Sequence, residues 1–223
     1  MLFKNKKSKI FCIGLNKTGT TTIEKVLKDF KYKLGNQEKG ELLFKDWYKR
    51  DFSSIIKLSK TAEAFQDAPF SFPFTFIALD QYFCNAKFIL TVRDSPEQWY
   101  NSLVTHHSKV WADGINPPST QDLKNAEYRY KGFAYENNKM IFKTPEDDPY
   151  NKEILLDYYT NHNYQVIEYF RSCPEKLLVI NVSNDTDYIR LCDFLNKEPI
   201  HKTFPWENKT RDKKKKNHLI ILI

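Results

Sequence analysis

A glycine loop between an apolar run and an amphipathic segment constrains this chain more than any other feature. Residues 9–14, KIFCIG, are β-branched and aromatic and end at a glycine, which predicts a strand. Residues 20–30 carry apolar side chains at helical spacing, which predicts a helix. The glycine loop, GLNKTGTT over residues 14–21, joins the two. Backbone N–H groups and the positive end of the helix dipole meet there, so the loop is predicted to bind an anion.

The position of its lysine distinguishes the glycine loop from the common nucleotide-binding pattern. That pattern has two glycines separated by four residues, followed by Lys and then Ser or Thr. Gly14 and Gly19 keep the spacing and Thr21 holds the Ser/Thr position. Thr20 stands where the lysine is expected, and the lysine is instead Lys17, from which an ammonium group can reach the oxygen that bridges two groups of a ligand. The pattern disfavours a magnesium triphosphate, although a turn without a ligand can have the same outline.

Strands and helices alternate along the rest of the chain. Further strands are predicted over residues 62–66, 87–92 and 177–182. Helices are predicted over residues 42–58, 74–82, 96–104, 149–172 and 188–195, with one more between 121 and 140 of the polar segment 112–150. This alternation predicts an α/β fold, with three layers (α/β/α) around a mainly parallel central sheet joined by right-handed crossovers. We expect a single domain over residues 1–208 and a basic tail over residues 209–223.

The composition is typical of one globular domain. The 223 residues are 41% hydrophobic and 15% aromatic, which provides enough apolar surface for a sizeable core. The four cysteines are far apart, with no Cys-x-x-Cys pair or histidine cluster, so we expect buried thiols in a reducing compartment and no metal. No apolar stretch approaches the ~20 residues of a membrane helix, and the basic N-terminal residues lead to no signal cleavage site. A cytoplasmic protein is therefore expected.

The glycine loop also resembles that of a known family. Residues 14–22, GLNKTGTTT, resemble the 5′-phosphosulfate loop of sulfotransferases, whose pattern is Lys-Ser/Thr-Gly-Thr-Thr/Ser. The resemblance implies a P-loop NTPase-like sulfotransferase fold and 3′-phosphoadenosine 5′-phosphosulfate (PAPS) as donor, with adenosine 3′,5′-bisphosphate (PAP) as product. It implies that Lys17 stabilises the leaving oxygen. The donor-binding residues that it implies are Lys17, Thr18, Gly19, Thr20 and Thr21.

A second segment resembles the site that this family uses for the 3′-phosphate. In FILTVRDSPEQWYNSL, residues 88–103, Arg93 and Ser102 take the positions of an arginine that ends a core strand and a serine on the next helix. A guanidinium binds a phosphate through two charge-assisted bonds. The spacing is one residue longer than the usual pattern, which makes Ser95 a candidate insertion. An ion pair between Arg93 and a neighbouring carboxylate, and an exposed helical serine at position 102, are the alternatives.

Shorter matches extend the resemblance to about residues 8–210. AFQDAPF, LLVINVS and TFPWENKT are similar to segments of short, bacterial-type sulfotransferases. Several members have Trp directly after the Thr-Thr pair, where it packs on adenine, and this chain has Thr22. The residue that packs on adenine is therefore not predicted.

The resemblance implies transfer of a sulfuryl group to an acceptor hydroxyl or amine by in-line displacement, without a metal. The family's general base is a His or a carboxylate after the second core strand, where this chain has Asp67. A turn-forming Asp before Pro69 is the alternative role, and His106 or His107 is the alternative base. The acceptor can be a small molecule, a lipid or a carbohydrate. Its wall is predicted to be aromatic, although the same residues could be core: Trp111, Tyr128, Tyr130, Phe133 and Tyr135.

Two other functions compete with this interpretation. A P-loop kinase of nucleotides or small molecules shares the strand, loop and helix, but it needs a lysine at position 20. A nucleic-acid-binding module could use the basic run Lys213 to Lys216 in the tail. The net charge of +7 favours anionic ligands, yet part of this charge is concentrated in that run. A solvated tail is therefore the favoured interpretation, and nucleic acid is not an expected partner. The sequence does not predict the oligomeric state.

Overall fold

Within residues 8–205, which the computed structural model describes, four strands form one parallel sheet in the order β2-β1-β3-β4. The strands are β1 (Ile10–Cys12), β2 (Ala64–Gln66), β3 (Lys87–Thr91) and β4 (Leu177–Ile180). In the centre, Phe11 is opposite Phe65 on one side and Phe88 on the other. The predicted parallel sheet is confirmed, and its apolar strands are those expected of a sheet covered on both faces.

Helices connect and cover the strands. Their bounds are α1 (Thr20–Asp29), α2 (Gln37–Glu41), α3 (Phe44–Tyr48), α4 (Ser53–Ser59), α5 (Thr75–Tyr82), α6 (Pro96–Trp111), α7 (Thr120–Asn125), α8 (Phe133–Phe142), α9 (Lys152–Tyr169) and α10 (Thr186–Leu195), with a short 3₁₀ helix at Pro174–Lys176. None of the helices described for residues 8–205 has the length and hydropathy that a membrane-crossing segment needs.

The two faces of the sheet have separate cores. Ile10 and Cys12 point to one face, where they pack with α1 and α10, whereas Phe11 and Ile13 point to the other, which α3, α4, α5 and α9 cover. This alternation follows from the two-residue period of a strand. A third cluster, which includes Trp99 of α6, packs beside the glycine loop. The predicted α/β/α layering is confirmed.

The prediction of one helix over residues 42–58 is wrong. Two helices, α3 and α4, occupy this range, because the chain at Arg50 adopts a left-handed conformation (φ 61°) that ends the first. The segment just before them contains α2, which begins where the Asn36 side chain accepts a hydrogen bond from the Lys39 N–H. Similarly, the helix expected within residues 121–140 is divided into α7 and α8, with Gly132 (φ 84°) at the start of α8.

The cysteines are not all buried, contrary to expectation. Cys12 and Cys192 lie in the core, and burial raises the pKa of the Cys12 thiol to about 12. Cys84 is exposed and Cys173 is partly exposed. The Lys213 to Lys216 run of the predicted tail lies outside the described residues.

The close approach of β3 to the start of the glycine loop provides a test of the fold. A Cβ atom at Gly14 would lie 2.1 Å from Thr91 Oγ1 and 2.6 Å from the Thr91 backbone N and O. We expect Gly14→Ala to lower the free energy of unfolding by about 3 kcal/mol or more, because neither strand can move away without breaking the sheet. Urea denaturation monitored by circular dichroism measures this change.

Gly114→Ala is the matched control. A Cβ there meets nothing within 4 Å, and only the positive φ of 85° opposes it. That conformation costs about 1 kcal/mol for alanine. Equal effects of the two substitutions would contradict the contact between Gly14 and β3.

Candidate functional site

The glycine loop lies at the carboxyl end of β1 and turns into α1. Lys17 (φ 66°) and Gly19 (φ 109°) both have left-handed backbones, and Gly19 is the N-cap of α1. Successive turns of this kind direct N–H groups toward a common point, where they can hold an anion. The first turn of α1 contains no acidic side chain that would offset the positive end of its dipole.

Side chains from elsewhere in the chain hold two carbonyls of the glycine loop and the carbonyl of Ile13, which directly precedes it. His162 Nε2 of α9 lies 2.9 Å from the Ile13 oxygen, and Trp99 Nε1 of α6 donates to the Asn16 oxygen across 2.9 Å. Arg93 Nε donates to the Lys17 oxygen across 2.7 Å. Because the C=O and N–H of a trans peptide point in opposite directions, these bonds turn the N–H groups of the following residues away from the supporting side chains.

His162 is a structural support rather than a charged group. A carbonyl only accepts hydrogen bonds, so Nε2 carries the proton that bonds to Ile13. Burial lowers the pKa of His162 to about 4, which keeps the ring neutral. His162 was not predicted from the sequence, because nothing in its local sequence connects it with Ile13, 149 positions away.

The three threonines predicted to bind the donor have different surroundings. Thr18 is fully buried, and its hydroxyl contacts the Leu15 oxygen and Thr91 Oγ1, each at 2.5 Å, so this hydroxyl stabilises the interior of the loop. Thr20 is also buried, and its side chain is close enough to Asp67 to lower the pKa of that carboxyl slightly. Thr21 is exposed at the start of α1.

Arg93 connects the end of β3 to the glycine loop. Besides the bond to Lys17, its backbone N–H donates to the Tyr159 hydroxyl across 2.8 Å. The alternative ion pair with Asp94 does not form, because that carboxylate accepts hydrogen bonds from Gln98 and Asn181. Burial lowers the pKa of the Arg93 guanidinium, as expected for a cation with incomplete hydration. An anion beside it would offset this desolvation.

Ser95 and Ser102 have distinct roles in α6. Ser95 is the N-cap, and its Oγ accepts the Gln98 N–H at 3.1 Å, so it begins the helix. Ser102 is half-buried and lies three residues after Trp99 and four before His106, on the same face of α6. Trp99 contacts the glycine loop and His106 lines the cavity beside it, so Ser102 belongs to the helix face that is directed at the loop.

A cavity of about 240 Å³ adjoins the glycine loop. It brings Lys17, Asp67, His106 and His107 together, although these residues come from three separate segments. Three residues of the predicted aromatic wall also line it: Trp111, Tyr128 and Phe133.

The other two predicted wall residues do not line this cavity, so that part of the prediction is wrong. The Tyr130 hydroxyl donates to Glu136 at 2.7 Å, and the Tyr135 hydroxyl contacts both oxygens of Glu146. Phe72, Phe142 and Tyr158 contribute apolar surface to the cavity instead.

Asp67 is held in an unusual conformation at the cavity wall. Its φ is 61°, and its Oδ1 accepts the Ala68 N–H at 2.8 Å. Burial raises the pKa of this carboxyl, and the hydrogen bonds and the charge of Lys17 only partly oppose that effect. A strained backbone together with a desolvated charge is an arrangement that clusters at functional sites.

The two histidines differ in their environment. His107 is buried, its Nδ1 lies 2.8 Å from the Tyr150 hydroxyl, and burial holds its pKa well below the ordinary range. His106 is partly exposed. His107 is therefore neutral near pH 7.

Glu41 is a cavity residue that the sequence analysis missed. It is the last residue of α2. Its Oε1 accepts the Tyr128 hydroxyl at 3.2 Å and its Oε2 accepts Arg129 Nε at 2.5 Å. These bonds close one side of the cavity.

Fold and loop define an α/β protein with a candidate anion site at the carboxyl edge of a parallel sheet. Comparison with known proteins then identifies its family. Residues 9–213 match the family described as the sulfotransferase domain, and the chain belongs to that family. Membership supports sulfotransfer as the general activity and a transferase as the class of enzyme. No curated protein matches this chain. Within residues 8–205 there is no group of three or more His, Cys, Asp or Glu side chains able to hold a metal ion.

The raised pKa of Asp67 predicts how stability depends on pH. A carboxyl whose pKa is raised on folding stabilises the protein below its unfolded pKa of 3.8, and this stabilisation is lost as the pH rises through the folded value. We therefore expect Asp67→Asn, which stays neutral, to be more stable than wild type at pH 7. The difference should shrink as the pH falls toward 4, as measured by urea denaturation at several pH values.

Asp113→Asn is the control with the opposite sign. Backbone N–H groups of Ile115 and Asn116 lower the pKa of Asp113, so its charged form is favoured in the folded state. The asparagine variant should lose stability at pH 7. A pH-independent effect at Asp67 would mean that the backbone, not the charge, dominates there.

Proposed function

We propose that this chain transfers a sulfuryl group from PAPS to an acceptor hydroxyl or amine held in the cavity. One contact carries the proposal, the 2.7 Å hydrogen bond from Arg93 Nε to the Lys17 oxygen. It joins the segment that resembles a 3′-phosphate site to the loop that resembles a 5′-phosphosulfate site. One nucleotide with phosphates at both positions could therefore contact both.

The residues present fit such a donor. The N-terminus of α1 and the N–H groups of the glycine loop would bind the 5′-phosphosulfate. Arg93 uses Nε for the loop, so Nη1 and Nη2 would bind the 3′-phosphate, with the Ser102 hydroxyl as a neutral second donor. Thr20 and Thr21 would add N–H groups from the first helical turn, whereas Thr18 would act through the shape of the loop.

PAPS supplies a sulfuryl group bonded through oxygen to its 5′-phosphate. In the proposed in-line step, a bond forms between sulfur and the acceptor atom while the bond from sulfur to the bridging oxygen breaks. Lys17 would stabilise the negative charge that develops on that oxygen. Lys17, Arg93 and the N-terminus of α1 supply positive charge, so the proposal assigns no step to a metal ion.

Asp67 is proposed to take the acceptor's proton. It lines the same cavity as Lys17, close enough for the lysine charge to affect its pKa, so the carboxylate would face the acceptor beside the glycine loop. His107 is less suited to the role of general base, because its Nδ1 is already hydrogen bonded to the Tyr150 hydroxyl. The apolar and aromatic walls of the cavity fit the ring or chain of a small-molecule, lipid or carbohydrate acceptor.

Binding of PAP tests the donor assignment. We expect wild type to bind PAP, and Arg93→Ala and Lys17→Ala to bind it roughly 10- to 100-fold more weakly, because each loses charge-assisted hydrogen bonds. Isothermal titration calorimetry measures the affinities. Lys28→Ala, at an exposed position of α1, and Arg171→Ala, at a side chain that is 79% exposed, are matched controls that should bind like wild type.

Absence of PAP binding by wild type would refute the donor assignment. Magnesium-dependent ATP turnover with no stabilisation by PAP would favour the kinase alternative instead. Salt-sensitive RNA binding that disappears on deletion of residues 213–216, with Lys17→Ala harmless, would favour the nucleic-acid-binding alternative.

Turnover by Asp67→Asn tests the general base. We expect kcat to fall by roughly 10²- to 10⁴-fold while the affinity for PAP stays within about twofold, since general-base catalysis contributes rates of this order. The measurement is PAP release from PAPS with a panel of phenols, alcohols and amines. His106→Ala and His107→Ala are the comparison variants, and a larger loss in either of them would assign the base to that histidine.

A further inference from the structure

We propose that Tyr159 is a positioning residue, whose hydroxyl orients Arg93 for the 3′-phosphate of the donor. This inference rests on the proposed function, because it concerns the same nucleotide. It assigns to α9 a part in donor recognition that the segment around Arg93 does not reveal by itself.

The path of the chain explains why Arg93 needs this support. The sheet pairs β3 with β4 up to Thr91 and Ile180, and the Val92 N–H still donates to the Ile180 oxygen at 2.9 Å. Beyond that point the segment that follows β4 leaves the sheet, and its Asn181 N–H donates to the Asp187 carboxylate instead. Arg93 lies two residues beyond the end of β3, so its N–H is outside the ladder that the described strands form. The Tyr159 hydroxyl accepts it at 2.8 Å.

Arg93 is thus held at two points. Tyr159 fixes its backbone, and the Lys17 oxygen fixes Nε at 2.7 Å. With both ends restrained, the plane of the guanidinium has a defined orientation. A bidentate bond to a phosphate depends on such an orientation far more than a bond from a point charge does.

The surroundings of Tyr159 keep its hydroxyl in place. The side chain is only 3% exposed, and its ring stacks on Trp99 with centroids 5.0 Å apart and an interplanar angle of 24°. Trp99 in turn donates to the Asn16 oxygen. The stacked pair therefore supports two adjacent carbonyls of the glycine loop, one directly through Trp99 and one through Arg93.

These contacts separate two roles of Tyr159. The ring supplies packing, which phenylalanine would retain, whereas the hydroxyl supplies the single bond to Arg93. Removal of the hydroxyl should therefore disturb recognition of the 3′-phosphate and leave the 5′ side of the ligand, which the glycine loop holds, largely unchanged.

The experiment compares PAP with adenosine 5′-monophosphate, which lacks the 3′-phosphate, in wild type and in Tyr159→Phe. The preference is the ratio of the affinity for PAP to the affinity for the monophosphate. We expect this ratio to be about five- to tenfold smaller in Tyr159→Phe, which is the effect of one hydrogen bond, while the affinity for the monophosphate stays nearly unchanged. Tyr164→Phe is the matched control on the same helix, since that side chain is 63% exposed. Isothermal titration calorimetry provides all the affinities, and thermal melting confirms that the variants are folded.

Each outcome has a separate meaning. If wild type itself shows no preference for PAP, the proposed donor is wrong. If wild type shows the preference and Tyr159→Phe keeps it, or loses affinity for both ligands equally, the positioning role is overturned. Amide hydrogen exchange of wild type gives a test that needs no variant: the Arg93 N–H should be protected although it lies outside the sheet, and rapid exchange would contradict the proposal.

Discussion

Parallel pairing of β1 with β3 is the contact on which the candidate site depends. The pairing continues one residue beyond β1, where the Ile13 N–H donates to the Ile89 oxygen at 2.8 Å. Carboxyl ends of parallel strands meet at one edge of a sheet, so the glycine loop after β1 and Arg93 after β3 emerge side by side. The absence of a side chain at Gly14 permits this approach. Arg93 and Lys17, which are 76 positions apart in the sequence, are thereby joined by one hydrogen bond.

Local signals were sufficient to predict the strands, α1 and the position of the glycine loop between β1 and α1. A continuous apolar run or a strand–glycine–helix pattern has the same appearance in a sequence as in a structure. Residues 36–59 were harder, because the Asn36 cap and the left-handed Arg50 divide a segment whose apolar spacing is compatible with one helix. Contacts made across long stretches of chain could not be predicted at all. Glu41 and His162 belong to this group, since only the folded chain brings them to the site.

Lys17 and Asp67 line the same cavity, and both have backbone conformations that are energetically unfavourable for residues other than glycine. Both are non-glycine residues with left-handed backbones, at φ 66° and 61°. Burial of the Asp67 carboxyl adds a desolvation cost that the nearby lysine offsets only in part. Such residues persist when the surrounding structure over-determines them, and here the sheet, α6 and α9 do so. The two residues to which the proposed function gives the chemistry thus combine a left-handed backbone with a place in the cavity wall.

The bond between His162 and Ile13 has a consequence for how the protein is made. It joins positions 149 residues apart, so the loop lacks this support until α9 has been synthesised. At about 5–20 residues per second, the ribosome needs roughly 7–30 s to add that length of chain. A fragment that ends before α9 would contain the whole glycine loop and Arg93, but it would lack the hydrogen bonds that His162 and Tyr159 make to this region. The full set of contacts around the glycine loop is therefore a property of almost the complete domain, and a nascent chain would acquire it late.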